Sequence, residues 1–217
     1  MMSIILKPWG REYLCYRNEE VAIWLLEIKK GASTSLHAHP KKNTALIVLH
    51  GSAELSFIRG EPRILTGLDK INIFRGRFHR TTALGYPSRQ ANSVILLEVE
   101  APDDKRDLVR LDDVYGRAGT PIEEATEPKD LSCLEIADNR ETWVFAKCLL
   151  KIIHPISFEA LSWQAASTIF VTLRGGLERG LVPPGDAIDG ITMERLVRTF
   201  PPIPGSAFLQ IWKWSIP

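Results

Sequence analysis

Three of the five histidines stand at a spacing that can hold a metal ion. His37 and His39 flank Ala38. On a β-strand the side chains of residues i and i+2 share one face, so two imidazoles can reach one ion from a single strand. His79 lies further on, in Arg75-Gly76-Arg77-Phe78-His79-Arg80. Gly76 permits a tight turn that can aim His79 back toward the pair. A divalent metal is therefore expected at His37, His39 and His79, drawn from zinc, iron, nickel or manganese. Three neutral imidazoles leave positions open for water or substrate and would hold a hard, oxygen-seeking ion such as manganese less well. The alternative is a set of barrel-lining histidines with no ion. His50, next to Gly51, and His154, before Pro155, read as ordinary surface or core residues.

Cations surround this pattern. Lys41 and Lys42 follow His39, and Arg75, Arg77 and Arg80 surround His79. Such groups at the mouth of a site can hold a phosphate, Arg in bidentate fashion. The competing reading is a solvated basic rim.

The elements that must position these residues read as short strands. Val21 to Lys29, Thr44 to Leu49 (TALIVL), Ala53 to Phe57, Ile71 to Phe74 and Ser93 to Val99 (SVILLEV) are apolar or alternating runs punctuated by Gly, Pro, Asn and Asp. Many short strands with turn signals between them indicate a sandwich or barrel. A charged segment, 102–117, follows, and 119–132 reads as a linker. Beyond it, Trp143 to Ile153 reads as one long strand, Thr168 to Leu173 and Ala207 to Trp214 as two more, and Ile191 to Phe200 as strand or helix. ALIVLHGSAEL (45–55) and TIFVTLRGGLE (168–178) share an apolar run, a glycine position and a following Glu, which suggests an internal repeat.

Bulk properties narrow the class. Hydrophobic residues make up 45% of 217 and charged residues 24%, ordinary for a globular chain with a real core. The net charge of +1 and the lack of a long Lys/Arg cluster argue against a nucleic-acid partner. The three cysteines are far apart, with no CxxC, and are expected as reduced thiols. No apolar run reaches the ~20 residues of a membrane helix, and the N-terminal run is too short for a signal peptide, so a cytoplasmic protein is expected. Trp143, Trp163, Trp212 and Trp214 are expected in the core or at an interface such as a homodimer's.

The histidine spacing resembles the cupin family. That family's first motif runs Gly, five residues, His-x-His, three or four residues, Glu, six residues, Gly. Here the positions are Gly31, His37, His39, Thr44 and Gly51, with Thr44 where the family has its Glu ligand. Gly76 and His79 match the second motif, while Phe74 replaces its Pro and Ala83 its Asn. The resemblance implies an all-β, double-stranded β-helix barrel over 1–118; the suggested repeat makes 133–217 a second, degenerate barrel, unless two β-rich halves merely look alike.

Lys7-Pro8-Trp9-Gly10 near the start, and Asp107-Leu108-Val109-Arg110 to Tyr115-Gly116-Arg117 after the last strand, resemble the C-terminal cupin domain of type II mannose-6-phosphate isomerases. This implies a sugar or sugar-phosphate substrate and aldose–ketose isomerisation, in which a metal polarises the sugar oxygens and a base moves a proton between C1 and C2. Arg117 is the first candidate for a catalytic role, with Glu98 and Lys41 behind it. Arg75, Arg77, Arg80 and Lys42 are candidates for holding the substrate. A non-catalytic carbohydrate-binding or regulatory bicupin is the second reading, and a three-histidine iron oxygenase the third.

Overall fold

The structure is a computed structural model that describes residues 3–85, 92–104, 106–117, 126–139, 141–155, 161 and 167–214. Strands β1 (Ser3–Lys7), β2 (Gly10–Arg17) and β3 (Ala22–Lys29) form a meander. The chain continues through β4 (Leu36–Ala38), β5 (Asn43–His50), β6 (Ser52–Phe57), β7 (Arg63–Thr66), β8 (Lys70–Ile73), β9 (His79–Gly85), β10 (Ser93–Ala101), β11 (Val109–Asp112) and β12 (Thr126–Pro128). One seven-stranded sheet has the order β12-β1-β2-β3-β10-β5-β8, and a five-stranded sheet the order β11-β4-β9-β6-β7. Thus β3, β5, β8 and β10 lie in one sheet while β4, β6, β9 and β11 lie in the other. The chain winds back and forth between two antiparallel layers.

The space between the layers is filled by Trp24, Leu26, Leu46, Val48 and Leu96 from one sheet and Ala53, Leu55 and Ala83 from the other. Alternate residues of the same strands face the opposite way. Ile23, Leu25, Ile47, Leu97 and Val99 share a second core with Leu150, Ile152, Val171, Leu209 and Ile211 of the chain's later half. This explains why TALIVL and SVILLEV are continuously apolar: β5 and β10 are covered on both faces.

The later half forms a five-stranded antiparallel sheet in the order β13-β14-β17-β15-β16. Its strands are β13 (Thr142–Phe145), β14 (Cys148–Ile153), β15 (Ile169–Arg174), β16 (Ala187–Asp189) and β17 (Ala207–Lys213). Its far face packs Phe170 and Phe208 against Met193 and Val197 of helix α1 (Gly190–Val197). Asp189 caps this helix, accepting from Thr192 N at 2.9 Å. Polar stitches join the halves: the Asn72 amide exchanges bonds with Ala187 N (3.0 Å) and O (3.1 Å), and Asn18 Nδ2 donates to Leu173 O at 2.8 Å.

Three local features differ from the sequence reading. The single strand expected over Trp143 to Ile153 is a hairpin, turned by Ala146 (φ 50) and Lys147 (φ 61). Two consecutive left-handed residues match a two-residue primed turn, which usually carries Asn or Gly, so the usual signal was absent. Of the stretch Ile191 to Phe200, the part up to Val197 is helix and the last three residues are a turn. Of the linker over 119–132, residues 119–125 lie outside the described ones, and Thr126–Pro128 pairs along β1 at the sheet edge, where a Pro is tolerated. The matched glycines of the suggested repeat both have positive φ, Gly51 at 86 and Gly175 at 71. After them the halves diverge: Ser52–Phe57 is a strand, whereas Leu177 forms an isolated bridge and Glu178–Gly180 a 3-10 turn.

Among the described residues no helix is long and apolar enough to cross a membrane. Cys15, Cys133 and Cys148 are free thiols. Burial pushes the Cys15 thiol up to about 12 and that of Cys148 up to about 11, so neither is a ready nucleophile.

Candidate metal centre

His37 sits in the middle of β4, and its Cα partner across the ladder is His79, the first residue of β9. His39 follows β4 by one residue. The loop before His79 is tied down by Gly76, whose N–H donates to the His39 carbonyl at 2.7 Å and whose φ of 76 makes the turn. The ring centroids are 4.4 Å apart for His37 and His79, 5.0 Å for His37 and His39, and 5.7 Å for His39 and His79.

In each ring Nδ1 lies against a backbone carbonyl: Ser35 O at 2.8 Å for His37, Asp107 O at 2.6 Å for His39 and Arg77 O at 3.1 Å for His79. A carbonyl can only accept, so Nδ1 carries the proton and Nε2 the lone pair in all three rings. This outer shell of hydrogen bonds fixes the tautomer a metal ligand needs. Burial, with a smaller contribution from the neighbouring imidazoles, holds His37 well below the ordinary histidine range. Burial likewise lowers His79 to about 4. Both rings are therefore neutral at neutral pH, the state that ligates.

Glu98 of β10 completes the cluster. Its carboxylate and one nitrogen from each histidine all lie within 4.8 Å of one another, and all four residues are buried. The neutral three-nitrogen site expected from Thr44 is therefore a three-nitrogen, one-carboxylate site. That donor set fits a divalent ion of the zinc, iron, nickel or manganese type.

The cluster opens into a cavity walled by further charges. Lys42 and Glu100 form an ion pair of 2.7 Å with side chains 1% and 2% exposed. Lys7 and Glu12 pair at 3.4 Å, both side chains 5% exposed. Arg117 and Arg110 also line the cavity. Arg117 is aimed by Asp113, which accepts from its Nε at 2.9 Å and from Nη2 at 2.7 Å, and this pairing holds the Asp113 carboxyl below the usual range. The charged segment 102–117 is thus a wall of the site, and its Asp107 receives the N–H groups of Lys41 and Lys42 at 2.9 Å each.

Among the sequence candidates, the cavity gathers His37, His39, His79, Glu98, Lys42 and Arg117. The remaining cations lie outside its lining. Arg75 and Arg77 are exposed, with Arg77 stacked 3.8 Å over the Phe57 ring. Arg80 pairs with Asp112 at 2.5 Å, and the Lys41 side chain is exposed. Sequence reasoning missed Lys7, Glu12, Glu100 and Arg110 as wall residues. A signal existed for Glu100: in LLEVEA two carboxylates stand two apart in an apolar run, which puts both on one strand face.

No family model matches this sequence. The alginate biosynthesis protein AlgA of Pseudomonas putida is 27% identical over 128 residues, 59% of this chain and 26% of that protein, so the chain corresponds to about a quarter of its relative's length. An RmlC-like cupin from Shewanella frigidimarina is 19% identical over 48% of this chain and 87% of its own, with a TM-score of 0.41. The capsular polysaccharide assembling protein CapF of Staphylococcus aureus is 19% identical over 52% of this chain and 32% of its own, with a TM-score of 0.44. From β3 to β11 the chain alternates between two antiparallel sheets, apart from the β6–β7 hairpin within one of them, which is the winding of a double-stranded β-helix of the cupin type.

Proposed function

We propose that this protein is a metal-dependent cupin acting on a sugar or sugar phosphate, with aldose–ketose isomerisation as its reaction. The observation that carries the reading is the convergence of three tautomer-fixed imidazoles and Glu98 on a cavity whose walls hold Lys7, Lys42, Arg110 and Arg117. A divalent ion bound there would act as a Lewis acid toward the carbonyl and hydroxyl oxygens of the sugar. The wall cations orient the anionic end of the substrate, and Arg117, held by Asp113, is the residue we place against it. Glu12 is the wall carboxylate we assign to moving the proton between adjacent carbons, with Lys7 beside it as its counter-charge. The AlgA similarity supports a carbohydrate substrate. In the same reading, residues 133–217 form a degenerate second unit that backs the seven-stranded sheet.

The test is conversion of mannose 6-phosphate to fructose 6-phosphate by protein loaded in turn with zinc, iron(II), nickel and manganese. Turnover that disappears in His79→Ala supports the proposal. No turnover on a panel of hexose phosphates with any of these ions rejects isomerisation. Ligand-induced thermal stabilisation without turnover would then favour a binding protein, because a ligand selective for the folded state raises its stability.

A further inference from the structure

We propose that this chain has moved its carboxylate ligand from one strand to the next: Glu98 on β10 binds the ion in place of residue 44 on β5. The inference rests on the metal-centre reading and concerns which residues build it. The first support is register. β5 and β10 are antiparallel neighbours in which Leu46 lies opposite Glu98 and Thr44 opposite Glu100. Leu46 and Val48 of β5, and Val94 and Leu96 of β10, all belong to the core between the sheets. Side chains alternate along a strand, so Thr44, Glu98 and Glu100 face that same interior. A carboxylate moved from 44 to 98 shifts one strand sideways and one interior position along, and still reaches the histidines.

The second support is distance. Ligand atoms about 2.1 Å from one ion lie at most about 4.2 Å apart. The four donor atoms lie within 4.8 Å of one another. At its widest separation the set needs to close by at most about 0.6 Å for a trans pair and about 1.4 Å for a tetrahedral one. The third support is what occupies position 44. Thr44 is 2% exposed, and its hydroxyl has no hydrogen-bond partner among the described residues. A Glu there would face Glu100 across the strand pair, where like charges repel. Glu100 is already engaged with Lys42 at 2.7 Å. The buried Lys42–Glu100 pair and a carboxylate at 44 compete for one place, and Glu98 resolves the competition.

The test is Co²⁺ titration of metal-free protein, read by visible d–d absorption. It compares the parent, Glu98→Gln, His37→Ala and Glu98→Gln/Thr44→Glu, each first shown to be folded by its thermal melt. Outer-shell partners of metal ligands already cost about 10–100-fold in affinity, so Glu98→Gln is expected to weaken Co²⁺ binding at least about tenfold and to change the spectrum. Adding Thr44→Glu is expected to recover part of the loss. A Glu98→Gln protein with the parent's affinity and spectrum overturns the transfer, and if His37→Ala still loses Co²⁺ the metal centre itself stands. A folded double variant with no recovery overturns the exchange of positions. A parent that takes up no Co²⁺ overturns the transfer and the metal centre together.

Discussion

The two halves of this molecule are built from the same antiparallel strands, yet they bury different things. Between the barrel's sheets lie His37, His39, His79, Glu12, Lys42, Glu98 and Glu100, all under 9% exposed. In the later half the buried polar residues among those described are Thr168, Thr172 and Ser206. Thr172 and Ser206 answer local backbone: Thr172 Oγ1 donates to Val182 O at 3.0 Å, and Ser206 Oγ to Gly176 O at 2.9 Å. Burying an ion costs several kcal/mol unless a partner compensates. The barrel meets that cost with the Lys42–Glu100 and Lys7–Glu12 pairs and gathers Glu98 with the three histidines in a cluster that could hold an ion. The later sheet is organised around packing, with Leu150, Leu209 and Ile211 fully buried against the barrel's back.

The sharpest way to break this contrast is metal content. Elemental mass spectrometry is expected to find about one ion per chain, lost in His37→Ala/His79→Ala and retained in His154→Ala. His154 is the histidine of the later half and pairs with Asp138 at 2.6 Å. Loss of metal in the His154 variant would dissolve the division of labour.

Next in size is the shared core. Leu150→Ala in the later sheet and Leu55→Ala in the barrel each remove a fully buried side chain and should cost about 2–5 kcal/mol. Because one core spans both halves, each variant is expected to melt in a single transition by circular dichroism. Two separated transitions would show halves that fold independently.

Acidification of the metal-free protein separates the halves in another way. The ordinary histidine value is 6.5, and burial brings His79 to about 4, with His37 shifted in the same direction. Below 6.5 the unfolded chain takes up protons that the folded barrel refuses. The contribution of these two rings is therefore constant above that value and falls as pH drops toward about 4, by on the order of 3 kcal/mol for His79 alone. Chemical denaturation across this window should show the slope, and His37→Gln/His79→Gln should flatten it. An unchanged slope in that variant would place the acid sensitivity elsewhere.

The smallest expected effect belongs to the later half. Ala146 and Lys147 both adopt left-handed backbone, which costs a side-chain-bearing residue roughly 1–2 kcal/mol. Ala146→Asn/Lys147→Gly supplies the residues this turn prefers and should raise stability by about 1 kcal/mol. Destabilisation instead would mean that Lys147 contributes more than its turn geometry shows.

Much of the barrel is legible in the sequence because its signals are local. The continuous runs over 44–49 and 93–99 mark strands covered on both faces, and His-x-His marks two ligands on one side of a strand. The later hairpin was hidden because Ala146 and Lys147 carry no turn chemistry; tertiary pairing of β14 with β17 imposes a bend that propensity does not announce.

The sequence alone determined the strand content, the three histidines and the Thr at position 44. Only the tertiary structure decided which carboxylate faces the histidines, because Glu98 is about sixty residues from His37 in the chain and is brought opposite Leu46 by antiparallel register. It also decided which cations belong to the site. Arg75 and Arg77 stand beside His79 in sequence but are exposed outside the cavity lining, whereas Lys7 and Arg110 reach the cavity from elements far apart in the chain. Spacing along one strand settles which face a side chain shares, while the composition of an interior is settled by which strands the fold sets side by side.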